Sequence, residues 1–336
     1  MRMLGILIGI AFLAVTTVLA AEPTTVIEGL NNPCGVAIQP GTGDIFVADS
    51  GAARIVRISE GKLSEVIIDF PIDVYGKGPK YNIGPLGLAF LNKDTLVVGG
   101  GGLKDDKEML RVYAVPAAGS DPIGADAMVK SFTLKPEGAE KGEGNFYALA
   151  VTGNAIYVTS NGDDTKGWVA KADLNGTEVG PFGVEHGIAT KEKTNVDAPV
   201  GITISPEGLI VVGQMGEISS PYDGLLTFYN TQGEMLMNLE TGLSDITAVA
   251  YSSKAKGKKR QLYALDFAWS NPSEGGLFQL ISVDSETVEP KEIAKLDKPT
   301  AMAFAEDGTL YITVIGTAQE GSDAQPGKLL KIAPGL

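Results

Sequence analysis

Two asparagines and two aspartates, Asn32, Asn145, Asp245 and Asp266, offer the most direct chemistry in this sequence. Their side-chain oxygens are hard donors, a set that suits Ca²⁺ or another divalent cation. Such an ion would act as a Lewis acid on a carbonyl. The plainer reading is that Asn and Asp cap turns, which both do well. A second set is aromatic: Phe146, Tyr147, Phe267 and Trp269 can line a pocket for a sugar or an apolar ligand. Together with Asn32 and Asp266 they form the candidate ligand-binding set. His186 and Cys34 are the single histidine and the single cysteine. Mechanisms needing two histidines, an internal disulfide and cysteine-cluster metal sites are thereby excluded. His186, in Glu185-His186-Gly187, is expected in the connection from the third repeat to the fourth, as a solvated loop residue. No catalytic residue is assigned.

Other features exclude more than they suggest. The 336 residues carry 27 Lys and Arg against 41 Asp and Glu, a formal charge of −14. A nucleic-acid partner needs a basic face, so none is expected. Gly99-Gly100-Gly101-Gly102 lacks a following helix and a Gly-Lys-Ser/Thr ending, so it is read as a flexible loop rather than a phosphate cradle. The basic run Lys254–Arg260 is read as a long solvated turn.

The elements that position these residues form a repeat. Six short apolar segments begin with Gly or Ala at positions 35, 87, 148, 201, 248 and 301, spaced by 52, 61, 53, 47 and 53 residues. Each is followed by a turn and a second apolar segment, such as Ile45-Phe46-Val47-Ala48 or Leu310-Tyr311-Ile312-Thr313. Period-two alternation and β-branched residues mark strands. The 43 glycines and 18 prolines, half again the usual share, fit many tight turns. Six units of this length predict an all-β, six-bladed β-propeller of four-stranded blades, starting near 31, 83, 144, 197, 244 and 297. Gly or Ala at one register lets six inner strands crowd a central channel. The last unit stops after three strands, while Thr25–Leu30 precedes the first inner strand. That N-terminal strand is expected to complete the last blade and remove a free edge.

The chain begins with Arg2, an apolar run from Leu4 to Val15, and Val18-Leu19-Ala20. Residues 1–20 thus read as a signal peptide cleaved before Ala21. The mature domain would span 21–336, without a membrane span, secreted or periplasmic in a bacterium, and monomeric.

Asn32-Pro33-Cys34-Gly35-Val36-Ala37-Ile38, continuing through Gly43-Asp44-Ile45-Phe46-Val47-Ala48-Asp49 to Ile55, resembles an NHL-type propeller repeat. The other five units look like degenerate copies. The wider group it resembles holds the gluconolactonase and regucalcin-like enzymes and the streptogramin lyases. The former hold one divalent metal with a Glu, two Asn and an Asp. The resemblance implies that Asn32 and Asn145 stand in comparable places, with Asp245 or Asp266 as the carboxylate. Asn32 stands where that family's first loop has its Glu. The position before each inner strand, an Asn in that family, is here Cys34, Leu86, Tyr147, Val200, Thr247 or Thr300. The lyases use more than one catalytic histidine, which this chain lacks. Two readings follow: a binding module taking a small molecule or envelope protein at its channel-face loops, or a divalent-metal hydrolase of lactones and related esters.

Overall fold

The computed structural model describes residues 22–76, 79–134, 144–160, 166–254, 259–284, 286–319 and 324–336. The expected leader, Asn161 and Asp163 of the sequence that follows Ser160, and most of the basic run fall outside them. From the part of that run that is described, Lys254 extends to the carbonyl of Asp307, 2.7 Å away.

Six sheets surround one channel, antiparallel except that Ile123–Gly124 adds a short parallel strand at the outer edge of blade 1. Blade 1 comprises Pro33–Ile38, Ile45–Asp49, Arg54–Ser59 and Lys62–Ile68. Blade 2 comprises Pro85–Asn92, Thr95–Gly100, Met109–Ala114 and Lys130–Thr133. Blade 3 comprises Phe146–Val151, Ala155–Ser160, Trp168–Asn175 and Glu178–Ala189. Blade 4 comprises Pro199–Ile204, Ile210–Gln214, Leu225–Tyr229 and Met235–Glu240. Blade 5 comprises Ile246–Tyr251, Leu262–Asp266, Gly276–Ser282 and Val288–Lys295. Blade 6 comprises Pro299–Phe304, Leu310–Val314 and Gly327–Ile332, and its fourth strand is the N-terminal Thr24–Leu30. The register runs from Thr24 opposite Lys331 to Leu30 opposite Gly327, so the ring closes as the sequence predicts.

The cores lie between neighbouring blades. Phe46 of blade 1 meets Phe90 of blade 2 edge to face, ring centroids 5.0 Å apart. Blades approach so closely at the channel that a side chain on Gly35 would lie 2.0 Å from the Leu86 carbonyl oxygen. Threonine hydroxyls add links from blade to blade. Thr159 donates to the Val200 carbonyl at 2.9 Å, Thr247 to that of Pro299 at 2.9 Å, and Thr300 to that of Pro33 at 2.6 Å.

Three features depart from the sequence reading. The run Gly99–Gly102 is packed rather than flexible: a Cβ at Gly99 would meet the Phe146 carbonyl oxygen at 2.2 Å, and one at Gly102 the Pro71 oxygen at 1.8 Å. The glycines are there because other backbone passes through. His186 lies in the outermost strand of blade 3 and is exposed, rather than in a loop between blades. A short hairpin, Asp73–Tyr75 with Tyr81–Ile83, rises between blades 1 and 2.

Candidate functional site

The channel-face loops repeat one construction. The residue two before the channel turns the chain with a positive φ in four blades: Asn32 (51°), Asn145 (55°), Ala198 (51°) and Lys298 (56°). Asn tolerates this left-handed region better than most residues. The carbonyl at this position then accepts an amide from the residue after the second strand. Gly101 bonds Gly84 at 2.8 Å, Met215 bonds Ala198 at 2.8 Å, Phe267 bonds Asp245 at 2.9 Å, and Ile315 bonds Lys298 at 3.0 Å. Incoming and outgoing loops are thereby clamped together in blades 2, 4, 5 and 6.

Carboxylates at the ends of second strands hold these loops. Asp49 accepts the Asn31 amide at 2.6 Å and Arg54 Nε at 2.8 Å. Asp266 accepts three amides, from Ser244 at 3.0 Å, Asp245 at 2.7 Å and Ala268 at 3.0 Å. In blade 4 a glutamine does this work: Gln214 Nε2 donates to the Val196 carbonyl at 2.6 Å. Asp245 accepts the Trp269 amide at 2.5 Å through Oδ2. Its Oδ1 is buried without a hydrogen-bond partner. Burial, with smaller contributions from Asp266 and Asp223, raises the Asp245 carboxyl to about 7.

The consequence of the clamped loops is a cavity of about 70 Å³ at the channel mouth, to which every blade contributes one residue in the same register: Cys34, Leu86, Tyr147, Val200, Thr247 and Thr300. Tyr147 crosses toward blade 6, its hydroxyl 3.4 Å from the Thr300 carbonyl oxygen. Tyr147, Thr247 and Thr300 also line a second chamber farther down the channel, so they form the partition between the two. Cys34 is a buried thiol, pushed up to about 12 by desolvation, and is therefore an unreactive wall residue.

Aromatic rings make the rim. Phe267 and Trp269 stack with centroids 5.1 Å apart. Tyr75 and Tyr81, on the two strands of the hairpin, meet Trp269 edge on at 6.4 and 5.8 Å. The hairpin is pinned from below by Asn32, whose Nδ2 donates to the Asn82 carbonyl at 2.7 Å. Asn145 stands between the cavity and an outer cleft that holds Asp73, Lys104, Asp105 and Asp106. Among the described residues, no charged side chain lines the cavity itself.

The structure thus brings Asn32, Asn145, Tyr147, Phe267 and Trp269 together in one lining. It puts Phe146 elsewhere, fully buried in the core between blades 2 and 3, its ring 5.2 Å from that of Phe182. Asp245 and Asp266 stand behind the wall and hold it up. Sequence reasoning missed the hairpin tyrosines. The pattern Asp73-Val74-Tyr75 and Tyr81-Asn82-Ile83 around Gly76 and Pro79 was the signal that could have found them.

A divalent ion does not fit this donor set. The two Asn reach the cavity without a carboxylate, because both oxygens of Asp266 and one of Asp245 serve loop amides. Among the described residues no three His, Cys, Asp or Glu are grouped to hold a metal.

Compared by sequence, the chain matches no protein family and no curated protein. Compared by structure, it resembles a glucose dehydrogenase at TM-score 0.61 and 16% identity, over 94% of this chain and 100% of that one. An aldose sugar dehydrogenase from Streptomyces coelicolor, in its PQQ-bound form, matches at 0.58 and 14% identity, over 93% and 98%. A gluconolactonase from Xanthomonas campestris matches at 0.55 and 14%, over 94% and 90%. The propeller is shared with these proteins. The residues of this cavity do not fit PQQ, an anionic tricarboxylic quinone: no Lys, Arg or His among the described residues lines it.

Proposed function

We propose that this chain is a ligand-binding module that receives a small molecule at its channel mouth, and that it works outside the bacterial cytoplasm once its leader is removed. One observation carries this reading: all six blades contribute a residue of equal register to a single aromatic-rimmed cavity, with no charged group among its described lining residues. Concave, mostly apolar sites with a few placed polar groups are the usual form of small-molecule sites. Fold alone supplies no function, and the dehydrogenase and lactonase neighbours share only the scaffold at these identities. A metal-dependent hydrolase would need a carboxylate turned into the cavity. Asp266 would have to release three amides to provide one, and Asp245 would have to turn in from behind the wall and release the Trp269 amide.

The test is a thermal-shift screen of residues 21–336 against neutral sugars, lactones and small aromatic alcohols. A saturable rise in melting temperature that Trp269→Ala removes supports the module. Lactone turnover that depends on an added divalent ion would sink it.

A further inference from the structure

We propose that the cavity takes a compact, uncharged, ring-bearing molecule through one oxygen acceptor, which the Tyr81 hydroxyl binds while Trp269 and Phe267 cover the ring. This rests on the binding reading above and names the ligand's chemical class.

Tyr81 lines the cavity, and its hydroxyl is buried without a hydrogen-bond partner in the protein. Buried hydroxyls are normally satisfied, so a lone one in a cavity wall marks where a partner is missing. Burial also raises this phenol to about 12, so it stays protonated and can donate at neutral pH. The other polar groups are less available. Asn32 Nδ2 is committed to the Asn82 carbonyl, and its Oδ1 faces the Cys34 thiol at 3.7 Å. Tyr147 is turned to Thr300. Thr247 and Thr300 are occupied with Pro299 and Pro33. Asn145 stands at the border with the outer cleft, so Tyr81 supplies the buried directional contact inside the cavity.

The described lining residues carry no charge. A carboxylate or ammonium placed here would lose its hydration and meet no counter-ion among the described lining residues. The acidic side chains Asp73, Asp105 and Asp106 lie in the neighbouring outer cleft, with Lys104 among them. Size follows from the volume: about 70 Å³ is less than the roughly 150 Å³ that holds a benzene ring in a protein interior. The ring is therefore seated at the rim against Trp269 and Phe267, where stacking is available, and only its oxygen reaches inward to Tyr81.

The sequence has two tryptophans, so Trp168→Phe leaves Trp269 as the sole reporter. That variant is titrated with four compounds of one skeleton: cyclohexanone, cyclohexanol, cyclohexanecarboxylate and cyclohexylamine. The readout is a saturable shift in emission wavelength. Cyclohexanone and cyclohexanol are expected to bind at least about tenfold tighter than the two ions. Tyr81→Phe, added to Trp168→Phe, should weaken cyclohexanone about tenfold, the usual value of one buried hydrogen bond. Its melting temperature should not fall, because no protein group accepts from this hydroxyl. Cyclohexylamine binding as tightly would move the site to the acidic cleft and overturn the proposal, as would tight carboxylate binding or an unchanged affinity in Tyr81→Phe. In those cases the binding reading survives. If no compound shifts Trp269 while the wider screen also finds no ligand, the binding reading itself falls.

Discussion

The hydroxyl of Tyr147 on blade 3 lies 3.4 Å from the carbonyl oxygen of Thr300 on blade 6, so one side chain spans the channel between opposite blades. Its ring divides the mouth cavity from the lower chamber. Tyr147→Phe keeps the ring and loses only a long hydrogen bond, so it should cost at most about 1 kcal/mol. Tyr147→Ala merges the two chambers and should cost about 3 kcal/mol or more, as large-to-small changes in packed interiors do. Urea unfolding of both variants measures the difference. Equal stability of the two would show that the ring does not fill the channel.

The three amides on Asp266 predict a structural rather than a catalytic phenotype. Asp266→Ala leaves three buried donors without their acceptor and should cost about 2–4 kcal/mol. Asp266→Asn should cost less, because burial already works against the charged form of this carboxyl. The same pair of changes at Asp49 should rank alike, with the added loss of the Arg54 contact. Melting temperatures give the ranking; an Asn variant worse than Ala at either site contradicts it.

Asp245 predicts a pH dependence with a definite sign. Its carboxyl is raised to about 7 against an ordinary 3.8, mainly by burial. The folded protein thus holds a proton that the unfolded chain releases. The stability it contributes is complete below about pH 4 and is lost as pH rises toward 7. Asp245→Asn keeps an oxygen for the Trp269 amide and carries no charge. The variant should match the parent at pH 4 and exceed its melting temperature by a few degrees at pH 8. A constant difference at both pH values would remove Asp245 as the titrating group.

The fold was legible because its signal is repeated. Six apolar segments with Gly or Ala at one register, and an N-terminal segment resembling a fourth strand, state a ring and its closure without any single strong motif. Each inner strand begins two residues after the blade start read from the sequence, for instance at Pro33 and Pro299. The site was half legible. The register that placed Asn32, Asn145 and Tyr147 on the channel face is a property of the repeat. Where a side chain turns within a loop is not. Asp245 and Asp266 have the residue type of metal ligands, yet amides of their own loops reach their oxygens first. Phe146 and Tyr147 are adjacent and alternate, so only one can face the channel, and the other enters the core. Tyr75 and Tyr81 lie on a hairpin outside the repeat and left no periodic trace.

The same loop bonding bears on metal dependence. With the Asp266 oxygens and one Asp245 oxygen on amides, Ca²⁺, Mg²⁺ and Zn²⁺ should leave the melting temperature of residues 21–336 unchanged, as should a chelator. A specific ion at 100 times its dissociation constant would add about 2.7 kcal/mol, a shift of a few degrees that the experiment would detect. Such a rise, abolished by both Asn145→Ala and Asp266→Asn, would mean that Asp266 leaves its loop to bind the ion; one abolished by Asn145→Ala alone would place the ion in the outer cleft with Asp73, Asp105 and Asp106.

The closing strand allows a test of architecture independent of any ligand. Thr24–Leu30 pairs with Gly327–Ile332, buries Leu30 completely, and packs Val26 and Ile27 against the core between blades 6 and 1. Deleting residues 22–30 removes that burial, about 1.5–3 kcal/mol for Leu30 alone, and bares the backbone edge of Gly327–Ile332. A sharp loss of melting temperature is expected. Because Thr24 lies opposite Lys331, the strand begins where the C-terminal one ends. Residues 333–336 can therefore act as the turn if residues 22–30 are moved behind Leu336. This rearranged chain should regain most of the lost stability, since the strand would then enter blade 6 in the order that the fourth strands of blades 3, 4 and 5 follow. Failure to regain it, with the deletion itself well tolerated, would show that closure by the N-terminal strand does not hold the ring.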